Sequence, residues 1–130
     1  MEKVIKNPEA IRDIAVNVLE LHEYSEEAFV IITTDTKNKV TGVFQVSQGS
    51  LNASIVHPRE VFKRALMQNS NAIFLVHNHP SGNTRPSSED ITITKRLIEA
   101  GELLGIKVLD HVIIGNDAHS YYSFKEYDII

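Results

Sequence analysis

Residues 72–90, AIFLVHNHPSGNTRPSSED, decide how the whole chain is read. An apolar, partly β-branched run from Ala72 to Val76 leads into His77 and His79, and Pro80, Ser81 and Gly82 follow. The run has the character of a buried strand, and the proline and glycine mark the turn that ends it. Side chains at positions i and i+2 of a strand share a face, so His77 and His79 aim both imidazoles into one pocket while Asn78 points away. Strand ends beside helix starts are where α/β folds place their sites.

Downstream, Ser87 occupies an N-cap position and Asp90 falls in the first turn of the helix it opens. The intervening PSGNTRP is long enough to fold that turn back beside the histidines. Two imidazoles and a carboxylate suit zinc, and three protein ligands leave a fourth tetrahedral position for water. Ser87 and Asp90 fit a capping box equally well, in which the carboxylate serves only the helix and its dipole. Spacing alone does not choose between the two.

Outward from this stretch, the pattern predicts an alternation of helices and strands. Asn7 and Pro8 start a helix with apolar positions at Ile11, Ile14, Ala15, Val18, Leu19 and Leu21. AFVIITTD (28–35) and VTGVFQVSQ (40–48) form a hairpin across TKNK. A loop or bulge, GSLNASIV, precedes a helix over 57–69 with Val61, Phe62, Ala65 and Leu66 facing inward. After the 72–78 strand comes a long helix packing through Leu97, Ile98, Leu103 and Leu104, then IKVLDHVIIG as a strand and SYYSF as a short closing one. The order α-β-β-α-β-α-β-β gives an α/β layered domain, a mixed β-sheet flanked by helices.

The chain has 130 residues, about the size of one domain, with 42% hydrophobic and 23% charged residues. No apolar stretch approaches the ~20 residues of a membrane helix, and MEKVIKNPEA lacks the apolar core of a secretory signal. A cytoplasmic location away from membranes is the expectation. There are no cysteines, so any metal is held by histidine and carboxylate. The net charge is −4 and the lysines and arginines are scattered, without the basic footprint of a stand-alone nucleic-acid binder.

His77-x-His79-Pro80, six residues, then Ser87-x-x-Asp90 resembles the signature of the JAMM (JAB/MPN) metalloprotease domain. VHPREVFKRAL, HNHPSG, RLIEAGELLGI and LDHVIIG resemble the bacterial RadC family in particular, from about Glu27 to about Phe124. The resemblance implies a single RadC-like JAB/MPN domain over 1–130, with an N-terminal helix in 1–24 and a core over 25–124. The helix-hairpin-helix region usual in RadC proteins is not expected in this length. It further implies that His77, His79 and Asp90 bind Zn²⁺ and that Ser87 stabilises the oxyanion of a tetrahedral intermediate. The family's general base is an upstream glutamate near a phenylalanine; SEEAF offers Glu27, with Glu26 as the alternative.

The expected activity is zinc-dependent hydrolysis of a peptide or isopeptide bond in a peptide or protein-conjugate substrate. Two other classes stay open: a DNA-repair role acting on or with DNA, and a non-catalytic metal-binding scaffold. Nuclease HNH residues are spread over a ββα element, so the contiguous HNH tripeptide here is an accidental match. Cytidine deaminases share a related layered layout but need a His/Cys/Cys zinc site, which this composition excludes. Among the remaining candidates, His57 reads as a cap or surface group and His111 as a core histidine bonded to Asp110 or the backbone. His22 and His119 read as exposed, and Arg85 as a solvated loop residue.

Overall fold

The computed structural model describes residues 3–52 and 54–130. Ala53, in the expected GSLNASIV loop, lies outside them. Three α-helices and five strands run in the order α1 (Pro8–Asn17), β1 (Ala28–Thr34), β2 (Val40–Gln48), α2 (Pro58–Met67), β3 (Ala72–Asn78), α3 (Ser88–Leu104), β4 (Lys107–Ile114) and β5 (Tyr121–Ser123). A 3₁₀ turn, Leu21–Glu23, links α1 to β1.

The sheet order is β2-β1-β3-β4-β5. β1 pairs antiparallel with both β2 and β3, β3 pairs parallel with β4 through the α3 crossover, and β5 returns antiparallel. The sheet is therefore mixed, as the order of elements requires. β1 and β3 are buried at every position because helices cover both faces.

Strand alternation sorts the core into two layers. Val30, Ile32, Phe74, Val76, Val112 and Ile114 pack with Ile11, Ile14 and Leu21 on the α1 face. Phe29, Ile31, Ile73 and Leu75 pack with Val61 and Phe62 of α2 and Ile93 and Leu97 of α3. The segment before β1 thus belongs to the core, with Ile11 and Leu21 almost fully buried. His77 follows Ile73 and Leu75 along β3, and His111 of β4 lies opposite Leu75 across the parallel ladder, so both rings take the face that carries α3.

Asn7 caps α1, accepting from the Ala10 N–H at 2.9 Å, and Pro8 opens the helix as expected. Several apolar side chains expected in the core are exposed instead: Val18, Leu66, Leu103 and Leu104. Val18 is the C-cap of α1, and Leu103 and Leu104 are the last two residues of α3. Thr94, Gly101 and Ile93 take the inward positions of α3. No described helix is long and apolar enough to cross a membrane.

Candidate metal centre

Antiparallel pairing brings the start of β1 beside the end of β3, with Phe29 opposite His77. Glu27, one residue before β1, therefore arrives at the strand end that carries His77 and His79. The ladder to β4 continues for one residue past β3, since the His79 N–H donates to the Ile114 carbonyl at 2.8 Å. That keeps His79 in strand geometry and preserves the shared face. The chain then turns at Gly82, whose φ of 92° suits a residue without Cβ. A Cβ there would meet the Asn116 side chain at 2.9 Å.

The resulting cluster is tight. His77 Nε2 and His79 Nε2 lie 3.0 Å apart. Asp90 Oδ2 is 3.2 Å from His79 Nε2, and Asp90 Oδ1 is 3.5 Å from His77 Nε2. Glu27 Oε1 stands 3.8 Å from both ring nitrogens. Glu27, His77 and His79 each offer a ligand atom within 4.8 Å of the others, an arrangement able to hold a metal ion. Glu26 turns away: its carboxylate accepts from Gln48 Nε2 at 2.7 Å.

Ser87 is the N-cap of α3, and the capping box is complete. Ser87 Oγ accepts from the Asp90 N–H at 3.0 Å, and Asp90 Oδ2 accepts from the Ser87 N–H at 2.9 Å. The carboxylate does not have to choose between helix and histidines, because Oδ2 meets both the Ser87 amide and the His79 ring. The box holds the acid at a fixed angle to the imidazoles.

The donor set fits a cation. His79 Nδ1 lies 2.8 Å from the Asn83 carbonyl, which can only accept, so Nδ1 carries a proton and Nε2 faces the cluster, where it holds either a second proton toward Asp90 and His77 or a lone pair toward a cation. Burial raises the carboxyl of Asp90, but the neighbouring His77 and His79 rings and the Ser87 N–H outweigh it and hold the group well below the usual carboxylate range. For His79, desolvation pulls the affinity for protons down; the Asp90 hydrogen bond and the Asn83 carbonyl overcome it, leaving the value raised. Two anions around two imine nitrogens make a place that attracts positive charge. Nitrogen and oxygen donors of this kind suit zinc.

Two groups unanticipated in their roles frame the site. Asn78, on the opposite face of β3, accepts from the Ala28 N–H at 2.7 Å and donates to the Glu26 carbonyl at 3.0 Å, clamping the backbone on both sides of Glu27. His111 is a core histidine, as expected, but its ring does not bond Asp110. Its Nε2 lies 2.7 Å from His77 Nδ1 and its Nδ1 2.6 Å from Thr94 Oγ1; Asp110 accepts the His111 backbone N–H, the Ser123 hydroxyl and the Lys125 N–H. Complete burial lowers the His111 value well below that of a free imidazole. Strand parity carried the signal for His111, and the four-residue step from Asp90 carried it for Thr94.

The other candidates lie elsewhere. His57 sits at the N-cap of α2 without a side-chain cap bond. His22 is half-buried rather than exposed, while His119 and Arg85 are exposed. The cluster opens into a cleft of about 450 Å³, whose walls include Ser50, Leu51, Ser81 and Ser87.

Comparison with known proteins places the chain in a family. The family described as RadC-like JAB domain matches residues 5–129. A UPF0758 protein of Alkaliphilus oremlandii is 51% identical over 126 residues, covering 97% of this chain and 53% of its own length. A UPF0758 protein of Desulfitobacterium hafniense is 53% identical over 128 residues, covering 98% and 54% respectively. One of Trichlorobacter lovleyi reaches 56% over 107 residues, covering 82% and 46%. The chain spans about half the length of the curated relatives it matches. By the extent of the family match, which takes in every helix and strand described above, this chain belongs to the RadC-like JAB domain family.

Proposed function

We propose that the domain is a zinc-dependent hydrolase of peptide or isopeptide bonds, acting on a peptide or protein-conjugate substrate. The observation that supports it most is the pair of facing Nε2 atoms, 3.0 Å apart, flanked by two carboxylates at an open cleft. His77, His79 and Asp90 hold the zinc in this reading. Zinc supplies Lewis acidity and a water that ionises near neutral pH.

The chain's own groups do the rest. Glu27 is the carboxylate standing furthest from the ring nitrogens, at 3.8 Å against 3.2 and 3.5 Å for Asp90. It takes a proton from the attacking water and returns it to the leaving amine. Ser87 Oγ already accepts the Asp90 N–H, so its own hydroxyl proton is available to the oxyanion that develops on the substrate carbonyl.

A second reading has its own support, because Glu27, His77 and His79 each offer a ligand atom within 4.8 Å of the others. There Glu27 is a ligand and the centre is a scaffold without catalysis. Metal analysis of Glu27→Gln separates the two. A general base predicts about one zinc per chain retained and cleavage of a peptide or ubiquitin-like conjugate panel abolished. A ligand predicts that the zinc is lost. Full metal content in His77→Ala overturns both.

A further inference from the structure

The protons on the buried side chains behind His77 can be placed by elimination. Thr94 Oγ1 lies 2.7 Å from the Asp90 carbonyl and 2.6 Å from His111 Nδ1. A carbonyl only accepts, so the single hydroxyl proton of Thr94 goes to it, the back-bond typical of a threonine within a helix. Sending that proton to His111 instead would leave two oxygens facing each other at 2.7 Å with nothing between them. His111 Nδ1 must then be the donor to Thr94. The Nε2 of a neutral His111 is left as an acceptor, and it lies 2.7 Å from His77 Nδ1. His77 donates there, and its Nε2 keeps a lone pair.

We propose that His111 and Thr94 are positioning residues that lock His77 as the Nδ1–H tautomer and so aim its Nε2 lone pair at the cation site. The bonds run one way, from the His77 Nδ1–H to His111 Nε2, from the His111 Nδ1–H to Thr94, and from the Thr94 hydroxyl to the Asp90 carbonyl. The line starts at one histidine of the cluster and ends on the backbone of its acid, so His77 and Asp90 are held in register through the core. Packing holds the middle ring: Phe124 stacks on His111 at 4.4 Å between centroids and Phe29 meets it edge-on at 5.9 Å. His111, Thr94 and His77 are all fully buried, so water has no access to compete for these bonds. A partner of this kind fixes the tautomer and orientation of a ligating imidazole.

The purpose of the lock rests on the zinc reading; its test does not. In the metal-free full chain, labelled with ¹⁵N and observed near neutral pH through the long-range couplings of the imidazole rings, His77 and His111 should both show a protonated Nδ1 and a bare Nε2. That is the reverse of the preference of free histidine in water. Thr94→Val removes the terminal acceptor and should turn both rings to the Nε2–H form, with the zinc dissociation constant raised about 10- to 100-fold. Thr94→Ser keeps the hydroxyl and should restore both readouts. A protonated Nε2 on His77 in the parent chain overturns the proposal, as does a Thr94→Val variant with unchanged tautomers and affinity. If the parent shows the Nδ1–H form yet takes up no zinc, the positioning stands and the hydrolase reading falls.

Discussion

Asn78 and Ala28 are joined by a side-chain-to-backbone bond that seats the general-base candidate: Asn78 Oδ1 accepts the Ala28 N–H at 2.7 Å. The same carboxamide donates to the Glu26 carbonyl at 3.0 Å, so both peptides flanking Glu27 hang from one buried side chain of β3. A third bond ties the residue to the far side, where the Gly49 N–H donates to the Glu27 carbonyl at 2.7 Å, and the carboxylate stands 3.8 Å from the histidine pair.

Replacing Asn78 by alanine leaves the Ala28 N–H buried without a partner, which costs about 1–3 kcal/mol. Chemical denaturation of Asn78→Ala should show a loss of that size. Turnover should fall further than stability accounts for, because Glu27 keeps only the Gly49 bond to its carbonyl and loses the two that hold its flanking peptides, while zinc content stays near that of the parent. Parent-like turnover in a folded Asn78→Ala protein would show that Glu27 is positioned by something else.

The alternation of His77 and His79, the cap at Ser87 and the succession of helices and strands along the chain were legible because each depends on local pattern. Asp90 was ambiguous for a physical reason: in the fold a single carboxylate oxygen serves both the cap and the cluster, so no pattern could separate the roles. Leu103 and Leu104 misled because helical periodicity records apolar character and not where the neighbouring sheet ends. The ring partners of His111 were hidden because they need the register of β4 against β3, a pairing across the α3 crossover. For Asn78 the strand pattern gives only a side chain on the opposite face, and the use of that face depends on β1 arriving antiparallel.

Gly101 offers a test of packing against propensity. Glycine inside a helix is worth about 1 kcal/mol less than alanine, so Gly101→Ala would stabilise a free-standing helix. Here the added Cβ would lie 2.3 Å from the Ile106 carbonyl and 3.3 Å from the Phe62 ring. The carbonyl belongs to the backbone and cannot swing aside, so the substitution should destabilise the domain by about 1–3 kcal/mol. A raised melting temperature would show that the turn after α3 yields easily.

The cluster also predicts how the metal-free protein responds to pH. The folded value of Asp90 lies below its unfolded value of ~3.9. Its contribution is therefore complete above that range and lost as the pH falls, when the unfolded chain takes the proton first. His111, held neutral by burial, works in the same direction below ~6.5. His79 is opposite: its folded value is raised, so its contribution is present below ~6.5 and is lost as the pH rises through the folded value. Above that range His111 is neutral in both states and adds no slope. Chelated protein should melt at progressively lower temperature as the pH rises above about 6.5. Added zinc should remove the decline, since a metal competes with the same proton. An alkaline limb identical with and without zinc would detach His79 from metal binding.

Ser87 carries two functions that its variants can separate. Its Oγ caps α3, and substitution by alanine costs about 1 kcal/mol of stability. If the hydroxyl also donates to the oxyanion, Ser87→Ala should lower kcat about 10²- to 10³-fold, the loss seen when a single donor of this kind is removed. Ser87→Asp keeps a capping oxygen and suits the helix dipole, so it should recover stability, but it offers no proton and should leave the rate low. Ser87→Thr retains both oxygen and proton and should keep both properties close to those of the parent. Stability and turnover thus part company across the three substitutions. Should the rate track the melting temperature in all of them, the hydroxyl is only a cap, and the oxyanion must be met by backbone amides at the start of α3.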